Sequence, residues 1–327
     1  MRSARLSLAL ESGVFTPPET GTILILRPHA GDDLSALPRD RVRVVTGFKP
    51  DHDWFAARGY AVSAHAEAGH AAALVCLPRA KEAARALIAQ AAACVAPGGT
   101  VAVDGQKTDG IDAVLKDLRA RVALSDALSK AHGKIAVFPA GEGLADWAAQ
   151  PAQVDDFQTL PGVFSADGPD RGSALLAAAL TDLKGRIADL GAGWGYLSAA
   201  ILRHPAVREL HLVEAESDAL DCARINIPDP RARFHWADAT TWKAPTALDM
   251  VVMNPPFHIG RDADPSLGVA FLTAAARLLH PQGVLWLVAN RHLPYDRPLT
   301  TLFREVADIG GDSAFRLIRA SHPHRPR

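Results

Sequence analysis

A glycine-rich stretch that follows an acidic residue is the first part of this sequence that could do chemistry. In IADLGAGWGYLSAAIL (187–202), an apolar run ends at Asp189, and Gly191, Gly193 and Gly195 come directly after it. Glycine lets the backbone turn sharply and approach a ligand closely. Apolar residues at helical spacing follow, and the start of a helix offers free backbone N–H groups to an anionic group. The pattern predicts a strand, a ligand-binding loop and a helix.

The spacing of these residues indicates which ligand the loop would bind. The dinucleotide fingerprint is G-x-G-x-x-G, whereas this loop has G-x-G-x-G with Asp189 two residues before it. A carboxylate there would repel a pyrophosphate but would suit a cationic amino group, such as that of the methionine end of S-adenosylmethionine (SAM). Glu214, at the end of the next predicted strand, could accept both ribose hydroxyls, and Asp238, after the third, could accept from the adenine amino group. A solvated Glu214 and a helix-capping Asp238 are the structural alternatives.

A second motif, Asn254-Pro255-Pro256-Phe257, follows a predicted buried strand. The two prolines stiffen the backbone and lack N–H donors. The carbonyls of Asn254 and Pro255 and the side-chain oxygen of Asn254 could therefore accept both protons of a planar amino group, while Phe257 stacks on its ring. Catalysis would consist mainly of aligning the amine with a sulfonium methyl group. The motif predicts an N-methyltransferase.

Strands and helices alternate through both halves of the chain, which predicts an α/β fold with a mostly parallel sheet flanked by helices in each half. The stretch 141–162 has weak periodicity, and we place a domain boundary in it, giving domains 1–155 and 156–327. Near the end of the second domain we predict a helix over 300–309, followed by a last strand.

Two segments, 73–106 and 249–290, share one layout: a strand ending in proline, an alanine-rich helix, a Pro-x-Gly stop and a strand. This favours an internal duplication, although any two α/β units share some likeness. The first copy has no glycine run, and Leu77-Pro78-Arg79 replaces Asn-Pro-Pro. We therefore expect a degenerate first domain and one site, in the second domain.

The composition excludes several classes of protein. The chain has 327 residues, 48% of them hydrophobic and 22% charged, with a formal net charge of −1. It lacks the strongly basic footprint of many nucleic-acid-binding domains, although a local patch would suffice for an RNA substrate. Three cysteines without metal-ligand spacing predict no metal site and a reducing, cytoplasmic location. We expect no signal peptide and no membrane span, since no apolar run is long enough.

These motifs resemble those of the class I SAM-dependent methyltransferases. Within that class, the chain is similar to the ribosomal RNA guanine-N2 methyltransferases of the RsmC/RlmG type. The resemblance rests on LPGVFSADGPDRGSALL (160–176), IADLGAGWGYLSA (187–199), MNPPFHIG (253–260) and VANRHLPY (289–296). It is strong across the second half and weak in the first half.

The resemblance implies a role for each part of the site. Asp189 and the three glycines would line the methionine end of SAM, Glu214 would hold the ribose, and Asp238 would lie by the adenine. The segment 162–165, with Phe164, would lie over the cofactor, and the motif 254–257 would receive the target guanine. Ribosomal RNA or a ribosomal subunit would be the partner, and the base would have to be exposed or flipped. The first domain, as in the family, would be methyltransferase-like without SAM binding and would serve recognition or scaffolding.

Other functions stay open from the sequence alone. Asn-Pro-Pro-aromatic loops also serve adenine-N6 and glutamine-N5 methyltransferases, although the glutamine enzymes usually have tyrosine in the loop and a helical first domain. A SAM- or RNA-binding assembly factor without turnover is a second alternative, and a nicotinamide dehydrogenase is a third. Glu214 is a mild departure from the family, which often has aspartate there.

Overall fold

The computed structural model describes residues 2–256, 258–259, 262–263 and 265–324. The chain forms two compact units, Met1–Pro151 and Ala152–Arg327. In the described part of the chain, no helix has both the length and the apolar character that crossing a membrane requires.

The first unit contains a seven-stranded sheet with helices on both faces. Its helices and strands are α1 (Arg2–Glu11), β1 (Ile23–Leu26), β2 (Val42–Val45), α2 (Lys49–Ala56), β3 (Ala61–Ser63), β4 (His70–Cys76), α3 (Lys81–Cys94), β5 (Val95–Gln106), α4 (Ile111–Arg119), β6 (Leu128–Lys130) and β7 (Gly133–Pro139). Short 3-10 turns occupy Arg39–Arg41, Lys107–Asp109 and Ala145–Trp147.

The second unit has the same plan, with additional short hairpins. Its elements are β8 (Ala152–Val154), β9 (Phe157–Thr159), α5 (Arg171–Ala179), β10 (Gly185–Leu190), α6 (Tyr196–Leu202), β11 (Val207–Glu214), α7 (Ser217–Asn226), β12 (Ala232–Trp236), β13 (Leu248–Met253), β14 (His258–Ile259), β15 (Asp262–Ala263), α8 (Pro265–Leu278), β16 (Leu279–Asn290), α9 (Asp296–Leu302), β17 (Phe303–Gly311) and β18 (Phe315–Pro323).

The two large sheets have the same strand order. It is β3-β2-β1-β4-β5-β7-β6 in the first unit and β12-β11-β10-β13-β16-β18-β17 in the second. In each sheet the first five strands are parallel, the sixth runs antiparallel to the fifth, and the seventh pairs antiparallel with the sixth. The predicted α/β fold with two tandem, mostly parallel sheets is therefore confirmed.

Buried apolar side chains on both faces of the second sheet hold the helices against it. One face packs against α8 and α9 through residues such as Leu272 and Leu299, which are fully buried. The other face packs against α5, α6 and α7 through Leu176, Ile201 and Leu220, which are also fully buried. Since both faces are covered, ligands can reach this sheet at the ends of its strands.

The predicted helix over 300–309 is wrong beyond Leu302. In the structure α9 ends there, and β17 begins at the next residue. The chain continues as an edge strand because its backbone pairs with β18, with a register shift between Asp308 and Gly310. Gly310 and Gly311 both have positive φ, which a helix does not allow. Tertiary pairing thus outweighs local helix propensity.

Candidate active site

The predicted site residues come together because three neighbouring parallel strands end at one edge of the second sheet. β10 lies between β11 and β13, and Asp189 pairs with Leu212 on one side and Val252 on the other. The glycine loop and Asn254 therefore leave the sheet side by side. A cavity opens between them, lined by Gly191–Trp194, Asn254 and the start of α5.

The three glycines of the loop have left-handed backbone conformations, with φ of +76° at Gly191, +55° at Gly193 and +97° at Gly195. Their surroundings differ. A Cβ on Gly195 would lie 2.9 Å from Cγ1 of Ile227, whereas a Cβ on Gly193 would meet no atom within 4 Å. Gly195 is thus required for packing, and Gly193 leaves open space at the cavity.

Asp189 lies beneath the loop with its side chain fully buried. Its Oδ2 accepts a hydrogen bond from the hydroxyl of Ser198 at 2.7 Å, and its Oδ1 has no hydrogen-bond partner. Burial, opposed by the Ser198 hydrogen bond and assisted by the nearby charge of Glu214, raises the pKa of this carboxyl from 3.8 to about 7. A buried carboxyl with an unpaired oxygen is suited to stabilising a cation close by.

Glu214 connects the loop to the end of β11. Its Oε2 accepts from the backbone N–H of Gly193 at 2.8 Å, and its Oε1 accepts from that of Glu216 at 2.8 Å. Burial raises the pKa of Glu214 above its ordinary value, and these N–H donors oppose the shift. Asp238 follows β12 at the same edge, where its Oδ1 accepts from the backbone N–H and hydroxyl of Thr240 at 2.8 and 2.6 Å. Ribose and adenine contacts stay predictions for these two acids.

Asn254 lines the cavity, and its side-chain amide has a defined partner set. Nδ2 donates to Oδ2 of Asp170 at 2.8 Å and to the hydroxyl of Ser173 at 2.9 Å. Both amide protons are therefore used, and Oδ1 is left as an acceptor. Pro255 is buried and Pro256 exposed, whereas Phe257 lies outside the described residues.

Sequence reasoning missed Asp170 and Ser173 as parts of this site. Asp170 is the N-cap of α5, and its Oδ2 also accepts from the backbone N–H of Ser173 at 2.9 Å. A signal for Asp170 was available, because an aspartate shortly before an apolar run at helical spacing is typical of a helix N-cap.

Phe164 lines the cavity with 64% of its surface exposed. Its backbone carbonyl accepts from Nε1 of Trp194, in the glycine loop, at 3.0 Å. Val163, the residue before it, packs with Trp194 in a small buried cluster. These contacts tie the segment 162–165 to the loop and leave the Phe164 ring open to a ligand. In the described residues, no group of three or more His, Cys, Asp or Glu has a metal-binding arrangement.

The family model called methyltransferase small domain matches residues 155–319, about half of the chain. The chain belongs to the methyltransferase small domain family. The matched region contains the glycine loop, the acidic residues at or just after the ends of β11 and β12, and the Asn-Pro-Pro motif. The residues that line the cavity therefore lie within the part of the chain that the family model matches.

Relatives of this methyltransferase small domain protein share much of its length. A ribosomal RNA small subunit methyltransferase C of Shewanella baltica is 29% identical over 265 residues, which are 76% of this chain and 75% of the relative. The protein of the same name from Klebsiella pneumoniae is 32% identical over 192 residues, 57% of this chain and 56% of the relative.

A solved structure shares the whole architecture. The T. thermophilus 16S rRNA N2 methyltransferase (RsmC) in complex with AdoMet and guanosine superposes with a TM-score of 0.80 at 24% sequence identity. The match covers 98% of this chain and 92% of that one, which shows that the fold is shared across both units. Together with the family model, these likenesses confirm the resemblance predicted from the motifs.

The first unit lacks the residues that make the site of the methyltransferase small domain. Strand pairing defines the equivalent positions. Asp189 pairs with Val252, two residues before Asn254, and Leu26 pairs with Val75, two residues before Leu77. Leu26 and Leu77 thus replace the acid and the amide. That this copy of the fold is degenerate and binds no SAM stays a prediction.

Proposed function

We propose that this protein transfers a methyl group from SAM to the exocyclic N2 amine of guanine in ribosomal RNA. The observation that carries the proposal is the amide of Asn254. Its Nδ2 donates hydrogen bonds to Asp170 and Ser173, which leaves Oδ1 as a hydrogen-bond acceptor in the cavity beside the glycine loop. An exocyclic amine is a donor that fits such an acceptor. The names of the relatives support ribosomal RNA as the molecule that contains this amine.

The cavity fits SAM as the methyl donor, which when bound supplies an electrophilic methyl group on a sulfonium. The open space at Gly193 admits a ligand against the loop backbone. Asp189 supplies negative charge beneath the loop for the ligand's ammonium group. Glu214 stands at the next strand end, where ribose hydroxyls could donate to it. The exposed ring of Phe164 would cover the ligand.

The residues of the chain act on the amine by alignment. Oδ1 of Asn254 and the backbone carbonyl of Pro255 would accept hydrogen bonds from the two N–H groups of the amine. These bonds would direct the nitrogen lone pair toward the methyl group. A strong base is unnecessary, because the nitrogen that gains the methyl group would become positively charged and would release one proton to solvent. Stacking of the base on Phe257 stays a prediction, since this residue lies outside the described part of the chain.

The RNA substrate implies a role for the first unit. Because Leu26 and Leu77 stand at its equivalents of Asp189 and Asn254, we propose that this unit serves recognition or scaffolding and holds no SAM. We propose that the second unit is the catalytic domain; the boundary predicted from the sequence, between domains 1–155 and 156–327, lies four residues after the division between the two units at Pro151. We also propose a cytoplasmic location, where ribosomal RNA is available and cysteines stay reduced. The target guanine must leave its stack to reach Asn254.

The test is methyl transfer from isotopically labelled SAM to ribosomal subunits and to naked ribosomal RNA from cells that lack this protein. Nucleoside mass spectrometry should find N2-methylguanosine, and Asn254→Ala should reduce it to a small residual level while sparing most SAM binding. Gln282→Ala, which removes an exposed amide at the start of β16, serves as control and should retain activity. Label in N6-methyladenosine or in protein glutamine would contradict the proposed substrate. SAM binding without transfer to any RNA or protein would contradict the proposed activity.

A further inference from the structure

We infer that Asp170 and Ser173 are positioning residues that hold the Asn254 amide in the one orientation useful for methyl transfer. This inference rests on the proposed function and deepens it. Neither residue belongs to the Asn-Pro-Pro-Phe motif or to the glycine loop, and they reach Asn254 from the first turn of α5.

The chemistry of the contacts determines which way the amide faces. Oδ2 of Asp170 is a carboxylate oxygen and can only accept, so the atom 2.8 Å from it must be the donor Nδ2 of Asn254. The hydroxyl oxygen of Ser173 accepts a hydrogen bond from the second N–H of Nδ2, with 2.9 Å between Nδ2 and Oγ. A flipped amide would place Oδ1 against the carboxylate, with two acceptors facing each other and two donors unpaired. The observed orientation is therefore strongly preferred.

The backbone around Asp170 keeps the carboxylate in place. The same Oδ2 accepts from the backbone N–H of Ser173 at 2.9 Å, which caps α5. Gly172 permits this approach, because a Cβ there would lie 3.0 Å from Oδ2 of Asp170 and 3.0 Å from the ring of Phe315. Next to it, Arg171 pairs with Asp312 at 2.7 Å. The helix start thus acts as a rigid support for Asn254.

This support has a chemical consequence at the other end of the amide. Hydrogen bonds to a charged acceptor are stronger than neutral ones, and linked hydrogen bonds polarise each other. Donation from Nδ2 to Asp170 therefore makes Oδ1 of Asn254 a better acceptor for the substrate amine. Loss of the support should reduce the rate of transfer, because alignment is the source of catalysis here, and should leave SAM binding intact.

The variants can separate positioning from helix capping. Serine is a good N-cap but too short to reach Asn254, so Asp170→Ser keeps the cap and removes the contact. We expect it to lower kcat about 10- to 100-fold with less than about twofold change in Kd for SAM. Asp170→Asn retains an oxygen at the same place and should stay within about threefold of wild-type kcat. Ser173→Ala keeps the capped N–H and should lower kcat about three- to tenfold.

A double substitution tests whether the effect passes through Asn254. In an Asn254→Ala background, Asp170→Ser should cause no further loss of residual transfer, since its target is already gone. The matched control is Asp229→Ser. Asp229 accepts from the backbone N–H of Arg231 at 2.9 Å before β12, at the opposite edge of the sheet. The Asp229→Ser variant should leave kcat unchanged.

A measurement without turnover keeps the inference testable on its own. The chain has three asparagines, so selective 15N labelling gives three side-chain amide signals. The Asn254 amide protons should exchange slowly in the wild-type protein and faster in Asp170→Ser. Unchanged kcat and unchanged exchange in Asp170→Ser would overturn the inference, as would additive losses in the double variant. If wild-type protein methylates another amine, the proposed substrate is wrong, and the same comparison on that amine still decides the role of Asp170.

Discussion

Asp189 carries a charge that the folded protein tolerates poorly. Its carboxyl is fully buried, Oδ1 has no partner, and burial raises its pKa to about 7. The unfolded chain ionises this group near 3.8. Between these values the folded state retains a proton that the unfolded state releases, so the carboxyl lowers stability progressively from about pH 4 to pH 7 and constantly above. Such a cost is typical of a functional group.

Asp189→Asn should therefore stabilise the protein without ligand. We expect the free energy of unfolding in urea to rise by about 1–3 kcal/mol at pH 8 and to change little at pH 4. SAM should bind about tenfold more weakly, because the negative charge is lost. Asp229→Asn is the control, because the shift of the Asp229 pKa has the opposite sign: the hydrogen bond from Arg231 lowers it. This variant should give no stabilisation. Equal stability of wild type and Asp189→Asn at pH 8 would contradict this account.

At this scale the sequence predicts residue types better than contacts. Asp189, the glycines and Asn254 could be identified because their chemistry is local and their spacing is short. The Nδ2 partners of Asn254 could not, since Asp170 and Ser173 are 84 and 81 residues away in the chain and meet it only in the fold. The burial of Asp189 beneath the loop also depends on how the strands pair.

At the scale of the strand–loop–helix element, the glycines of the loop have different structural roles, and the G-x-G-x-G sequence pattern alone does not distinguish them. A methyl group at Gly193 would project into open space, and one at Gly195 would press on Ile227. Gly193→Ala should therefore weaken SAM binding about tenfold or more and lower the free energy of unfolding by only about 1 kcal/mol, which is the cost of a Cβ at positive φ. Gly195→Ala should lower the free energy of unfolding by about 2 kcal/mol or more, because steric overlap adds to the strain of positive φ.

Isothermal titration with SAM and urea unfolding separate these two outcomes. Gly141→Ala is a suitable control, since a Cβ there meets no atom within 4 Å and its φ is not positive. It should change neither quantity. An equal loss of stability in Gly193→Ala and Gly195→Ala would show that the loop behaves as one packed turn.

Elements with a clear period could be predicted, and elements defined by pairing could not. α3 and α4 follow from apolar spacing and helix propensity, and β10 from its apolar run. The edge strand β17 was mistaken for a helix because its exposed residues carry little pattern and its hydrogen bonds go to β18. The short strands β3 and β6 were not predicted for the same reason.

At the scale of the whole molecule, one fold occurs twice and the site residues occur once. We therefore predict that a chain binds a single SAM. Titration calorimetry should give a stoichiometry of about one, and Gly193→Ala should weaken that one event rather than one of two. Leu26→Ala, in the first unit, should leave the stoichiometry and affinity unchanged while lowering stability. A second binding event that survives Gly193→Ala would show that the first unit holds a ligand.

A buried cluster of three charged side chains, Asp104, Arg2 and Arg5, lies in the first unit and includes none of the residues that line the cavity. Asp104, fully buried on β5, accepts from Nη2 of Arg5 and Nε of Arg2, each at 3.0 Å. Arg5 is also fully buried, so Asp104→Ala would leave its charge without a counter-ion. We expect this to lower the free energy of unfolding of the first unit by about 3–5 kcal/mol.

Each unit has its own buried core, and the effect of Asp104→Ala should therefore stay within the first unit. Thermal scans should show its transition at a lower temperature, while Kd for SAM changes less than about twofold and SAM raises only the other transition. Asp112→Ala removes an exposed pair with Lys134 in the same unit and should cost at most about 1 kcal/mol. Weaker SAM binding in Asp104→Ala would instead show that the SAM site depends on an intact first unit.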